Sequence, residues 1–184
     1  MAQGTKLALA TSLGKLLERK ALDDITVKEI VEDCAVNRQT FYYHFQDIYD
    51  LLRWYLDHET EAALSKCANW QDALRTAFLF TREKHVVIYH IFRSTGREHI
   101  DCHFYALAYK ITSSVFAAAS EGLPLSAEDR EFLADFYMYA LAGMLIGWVA
   151  GGMKEEPADL VAQVSRLLDG EFRRMAEKFA NSVP

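Results

Sequence analysis

The chain has 184 residues, of which 51% are apolar and 25% charged, and its net charge is −6. That is sequence enough for one large core or two small ones, and too apolar for a disordered chain. The acidic balance excludes a uniformly basic nucleic-acid binder: residues 1–50 hold six basic against eight acidic side chains, −2 net, so any DNA affinity depends on where a few cations sit.

The elements, in chain order, are helical. Leu9, Leu13, Leu16 and Leu17 recur at helical spacing and predict a first helix with one buried stripe. After a break at residues 21–24, Thr26 and Glu29 form a capping box: the hydroxyl accepts the Glu29 N–H while the carboxylate reaches back. Val27, Ile30, Val31 and Cys34 follow at i, i+3, i+4 and i+7, the pattern of a short second helix. Ala35 and Val36 leave room only for a tight turn before Asn37, a favourable N-cap for a third helix over 38–44. Asp47 caps a long fourth helix, whose first N–H groups are candidates for a phosphate. Further helices are predicted near 70–84, 85–93, 97–120, 126–152 and 157–179, with Pro157 at the first position of the last. The predicted fold is all-α, an N-terminal three-helix domain at 1–48 joined by the long helix to a C-terminal helical domain at 49–184.

Residues 26–45, TVKEIVEDCAVNRQTFYYHF, are therefore two short helices on a very short turn, a helix-turn-helix. Its second helix carries apt chemistry for a major groove: Arg38 pairs with guanine through a two-pronged guanidinium, and Gln39 with adenine. Thr40, Tyr42, Tyr43 and His44 supply hydroxyl and imidazole groups that bind phosphate without formal charge. Three consecutive residues, 42–44, cannot all face a core.

Thr26, Ile30, Ala35, Val36, Asn37 and the run Thr40, Phe41, Tyr42, Tyr43, His44, Phe45 resemble the N-terminal motif of the TetR family, over about the first 55 residues. The resemblance implies a regulator whose first three helices bind a double-stranded operator, and whose remaining helices dimerise and take a small-molecule effector or a protein co-regulator. It places Thr26, Arg38, Gln39, Thr40, Tyr42, Tyr43 and His44 at the DNA, with Phe41 and Phe45 in the core. Two residues depart from the family pattern. Ala35 stands where the family usually has Gly, at a cost of about 1–2 kcal/mol if the turn is left-handed. Ile48 stands where a phosphate-binding Lys is frequent. The recognition segment, with Gly147, Trp148, Gly151, Gly152, Met153 and Lys154, is similar to the regulators of dihydroxyacetone kinase operons within that family.

Residues 136–153 carry no charge and hold Gly143, Gly147 and Gly151 at i, i+4 and i+8. By length this is a membrane candidate; the favoured reading is a helix buried by its own domain and a second subunit, because no basic flank marks a membrane topology. The resemblance pairs this helix with the last one in a homodimer, giving Gly143, Gly147, Trp148, Gly151, Leu160, Val164 and Leu167 as the expected interface.

The central helices are rich in aromatics, and Trp54, Phe78, Tyr89, Tyr105 and Tyr109 are the expected lining of an effector pocket. His99 and His103 share a helix face, but Asp101 and Cys102 stand off the line joining them, so no metal is expected, nor any cofactor. No catalytic motif emerges: Cys102 and His103 are sequence neighbours and point about 100° apart on a helix. Three widely spaced cysteines (Cys34, Cys67, Cys102) and the absence of a signal-peptide pattern predict a cytoplasmic protein with reduced thiols. The competing reading is a helical protein-interaction module with a degenerate DNA-binding domain, suggested by the acidic N-terminal segment.

Overall fold

A computed structural model describes residues 2–181; residue 1 and residues 182–184, the outer ends of the expected domain division, lie outside them. All regular elements among the described residues are helical: α1 (Ala2–Leu17), a 3₁₀ turn (Leu22–Asp24), α2 (Val27–Asp33), α3 (Arg38–His44), α4 (Ile48–Leu64), α5 (Trp70–Glu83), α6 (His85–Phe92), α7 (Arg97–Ala119), α8 (Ala127–Ala150), α9 (Pro157–Leu168) and α10 (Glu171–Ala180).

The chain forms two compact units. One runs up to Ser65 and takes in Phe80–His103; the other comprises Lys66–Leu79 and the chain from Phe104 onward. In the first, α1 packs against α2, α4 and α6, and α2 against α3. Leu9, Leu13 and Leu17 are fully buried, as the stripe predicts, while Leu16 is half-buried. The C-terminal end of α1 is tied down by His90, whose Nδ1 donates to the Leu17 carbonyl at 2.6 Å. In the second unit an aromatic cluster centres on Phe172, with Tyr137, Phe116 and Trp70 at 5.1, 5.2 and 5.5 Å between ring centroids. Such edge-on contacts each add about 0.5–1.5 kcal/mol beyond area burial.

The helix expected over 157–179 is in fact two. Val161, Val164, Leu168, Phe172 and Ala176 are all buried at continuous helical spacing, which is why the sequence reads as one element. The break is at Gly170, left-handed at φ 72°, preceded by Asp169 in an extended conformation. Asp-Gly is turn chemistry, and here it overrides an unbroken stripe.

Helix α8 is long and apolar enough to cross a membrane by length and composition. Its buried side holds Leu133, Ala134, Tyr137, Leu141, Leu145 and Trp148. Its other side is open: Phe132, Phe136 and Tyr139 are each more than half exposed, and a Cβ added at Gly143 or Gly147 would meet nothing within 4 Å.

Candidate nucleic-acid interface

The turn of the helix-turn-helix is a Schellman motif. The Val36 N–H donates back to Val31 O at 3.0 Å and the Ala35 N–H to Glu32 O at 3.2 Å, closing the end of α2. That geometry requires a left-handed residue, and Ala35 adopts φ 53°. Alanine is strained there where glycine is not. Ala35→Gly is therefore expected to stabilise the protein by about 1 kcal/mol; an unchanged or lower midpoint in urea denaturation would contradict it.

Both caps are formed. Thr26 Oγ1 accepts from Glu29 N at 3.3 Å, and Glu29 Oε2 accepts from Thr26 N at 3.0 Å and from the Thr26 hydroxyl at 2.9 Å. Lys20 adds its ammonium to Glu29 Oε1 at 2.6 Å. That ammonium, then the two Thr26 donors, hold the Glu29 carboxyl at about 2 against an ordinary 4.5. A depressed carboxyl stabilises the fold above its unfolded value, so this contribution is present above about pH 4.5 and lost as pH falls toward 2. Lys20→Met is expected to raise the Glu29 value in a carboxyl NMR titration; an unmoved titration would refute the pairing.

At α3, Asn37 Oδ1 accepts from Thr40 N at 2.8 Å and from the Thr40 hydroxyl at 3.0 Å. Phe41 and Phe45 turn inward, fully buried, with Phe45 edge-on to Trp54 at 6.1 Å. Arg38, at the first position of α3, and Gln39 are exposed, and Tyr42 is 58% and Tyr43 81% exposed. Thr40 and His44 are half-buried, and His44 packs on Tyr43 at 5.0 Å. Thr26 is on the surface, but its hydroxyl proton is committed to Glu29.

Pairing sorts the cations of this unit. Lys15 faces Asp33 at 4.0 Å, Lys20 faces Glu29 at 2.6 Å and Lys28 faces Glu32 at 3.8 Å. Lys6 lies over the Phe45 ring. Arg38 has no carboxylate partner among the described residues, and no acidic side chain occurs from 38 to 46. At the start of α4, Asp47 Oδ1 accepts from Asp50 N at 2.7 Å and Asp50 Oδ2 from Gln46 N at 3.1 Å. Two carboxylates thus occupy the helix end that the sequence offered to a phosphate.

Residues that the sequence did not single out fasten this domain to the turn before α7. Asp23 accepts the Thr95 hydroxyl at 2.6 Å and the Thr95 N–H at 3.0 Å. Tyr49, in the first turn of α4, lies 3.4 Å from the Thr95 hydroxyl and stacks on His99 at 4.6 Å. Gly96 is seated so tightly that a Cβ would fall 2.7 Å from the Tyr49 ring and 2.8 Å from Leu22. The nearest sequence signal is Gly96 itself, the first glycine after Gly14.

The five aromatics expected around an effector are divided between the two units. Within the first unit, Trp54 stacks on His58 at 4.8 Å and Tyr89 accepts from Arg93. Within the second, Phe78 is buried against Trp148 at 5.1 Å, Tyr105 packs on Tyr139 at 5.6 Å, and Tyr109 is half-buried. The apolar cleft between α5, α7 and α8 is lined instead by Leu74, Phe104, Ala108, Leu141 and their neighbours, and holds about 10 Å³. His103 bonds Thr60 at 3.0 Å and Asp57 at 3.1 Å, while His99 serves Tyr49.

Of the expected dimer residues, Gly143, Gly147, Gly151 and Leu167 are exposed and Leu160 is half-buried. Trp148 and Val164 are buried within the subunit, and the Trp148 indole donates to Glu155 O at 3.0 Å.

Two family models match the chain: bacterial regulatory proteins of the tetR family over residues 14–53, and a transcriptional regulator C-terminal region over residues 68–170. A relative, the HTH-type dhaKLM operon transcriptional activator DhaS of Lactococcus lactis subsp. lactis (strain IL1403), is 25% identical over 91 residues, 48% of this chain and 49% of its own. The match thus spans about half the length of that relative. Among solved structures, the dihydroxyacetone kinase operon activator DhaS superposes with a TM-score of 0.70 at 19% identity, over 92% of this chain and 97% of its own. NalD of Pseudomonas aeruginosa, secondary repressor of the MexAB-OprM multidrug efflux pump, gives 0.56 at 14% identity, over 94% and 96%. At these identities the two structures speak to the fold.

Proposed function

The chain belongs to the TetR family of bacterial regulatory proteins, and from that premise we propose that it acts in the cytoplasm as a homodimer reading a palindromic operator through α3. It is a transcriptional regulator, not an enzyme. The observation that carries the DNA reading is the outward face of α3, where an exposed Arg38 stands free of any carboxylate on a domain whose lysines on α1 and α2 are paired or packed. Arg38 and Gln39 are the base-reading groups; Tyr42, Tyr43, His44 and Thr40 position α3 on phosphates. Thr26 sits at the margin of this surface as a capping residue.

Two copies of α3 must lie about 34 Å apart, or a multiple of that, to enter successive major-groove faces. Any regulating partner must prefer one spacing over the other. The relative named for a dihydroxyacetone kinase operon supports control by a protein co-regulator over a drug-sized effector.

Fluorescence anisotropy against the DNA upstream of its own gene tests the reading. Saturable binding is expected, at least about a thousandfold tighter than to random duplex. Binding that does not distinguish the two DNAs would favour the protein-interaction reading suggested by the acidic domain.

A further inference from the structure

Between α1 and α4, bordered by Lys84 just before α6, lies a cleft of about 160 Å³ that the DNA reading does not use. Gly14 makes room for it: a Cβ there would lie 3.1 Å from both the ring and the hydroxyl of Tyr55. Tyr55 is only 7% exposed, yet its hydroxyl has no hydrogen-bond partner among the described residues. The residue is buried but its hydroxyl keeps access to solvent, and it lines the cleft.

Two lysines and two glutamates line the cleft, Lys15, Lys84, Glu18 and Glu59. Lys84 pairs with Glu59 at 3.4 Å and Lys15 with Asp33 at 4.0 Å. Glu18, four residues beyond Gly14 and just past the end of α1, has no ion pair among the described residues. Burial first, then Glu59 and Glu18, push the Tyr55 hydroxyl up to about 12, so it stays a neutral donor and acceptor. The groups left over are a phenol oxygen and a carboxylate, both of which accept N–H donors, and a positive donor answers both. Leu7 and Ala10 give the cleft an apolar side. Its volume is that of about five water molecules, which suits a short alkyl chain rather than a drug-sized molecule.

We propose that this cleft binds a small primary ammonium compound, its head group between the Tyr55 hydroxyl and the Glu18 carboxylate and its alkyl part against Leu7 and Ala10. The occupant braces α1 against α4, the helices whose Lys6 and Trp54 pack on Phe45 behind the recognition helix.

The test is calorimetric titration of the full chain, without DNA, with propylammonium chloride at constant ionic strength. 1-Propanol has the shape without the charge, and tetramethylammonium the charge without N–H groups. Saturable binding of propylammonium is expected, with both controls weaker by about tenfold or more. Tyr55→Phe and Glu18→Gln should each weaken it by a similar factor; Glu18 is exposed, so its variant stays informative even if Tyr55→Phe folds poorly. No saturable binding of propylammonium, equal binding of either control, or unchanged affinity in Glu18→Gln would overturn the assignment. Because no DNA is present, failure here leaves the operator reading intact, and the reverse holds too.

Discussion

Arg38→Ala is expected to weaken operator binding by roughly 10²- to 10⁴-fold, since a well-made arginine–guanine pair contributes about 1–3 kcal/mol and a dimer makes it twice. The effect is large because of what surrounds it. On a domain of net charge −2, phosphate attraction is small to begin with, and the lysines at 15, 20 and 28 are held by carboxylates on the same unit. Arg38 is exposed and unpaired at the first position of α3, one turn ahead of the buried Phe41. Its removal should leave the fold unaffected, which circular dichroism of the variant checks. Arg38→Lys separates two roles: it keeps the charge and loses the planar fork, so a base-reading Arg38 stays impaired while a phosphate contact largely recovers. If Arg38 touches only phosphate, the loss is uniform across sequences and the salt slope falls by about 1 per half-site. An operator affinity untouched by Arg38→Ala would remove α3 from the interface altogether.

The parts of the interface that were legible in the sequence are those decided within a few residues. The capping pair of Thr26 and Glu29 and the N-cap at Asn37 are set by helix geometry and found as read, and Phe41 and Phe45 are buried as the family resemblance implies. Ala35 was legible in a different way: it stands where the family usually has Gly, and the structure shows the left-handed backbone that such a glycine would serve, at φ 53°. What the sequence hid is long-range. Asp23 and Thr95 are 72 positions apart, and neither residue type announces a partner at that distance. The aromatics expected around an effector were chosen by type alone, and residue type does not name a neighbour: Phe78 packs on Trp148, and Tyr105 on Tyr139. The break at Gly170 was written in Asp169-Gly170 but masked by a stripe that stays in phase across it.

The glycines divide into those the subunit needs and those it does not, and that division supports the second large expectation. Gly96 is needed, because Tyr49 and Leu22 leave no space for a Cβ. Gly143 and Gly147 lie inside α8, where glycine costs about 1 kcal/mol relative to alanine, and among the described residues nothing comes within 4 Å of a Cβ at either position. Phe132, Phe136, Tyr139, Gly143 and Gly147 advance by four, three, four and four residues, which keeps them on one face of the helix. Leu167 on α9 is 73% exposed, a further large apolar side chain left without a neighbour to cover it. Aromatic rings beside bare backbone are what a second helix requires for close approach, so we propose this face of α8 as the dimer contact. Gly147→Leu should then leave the monomer folded, even favoured as a helix, while overpacking the contact by about 1–3 kcal/mol on each side of the two-fold axis. Sedimentation equilibrium is expected to record a dimer constant weakened by roughly 30- to 10⁴-fold. Operator affinity should fall with it, because a monomer engages one half-site at a time. Leu167→Asp offers an independent check from α9. A Gly147→Leu protein that stays dimeric at nanomolar concentration would mean that the subunits meet elsewhere, and the bare stretch of α8 would then need another reason to forgo side chains.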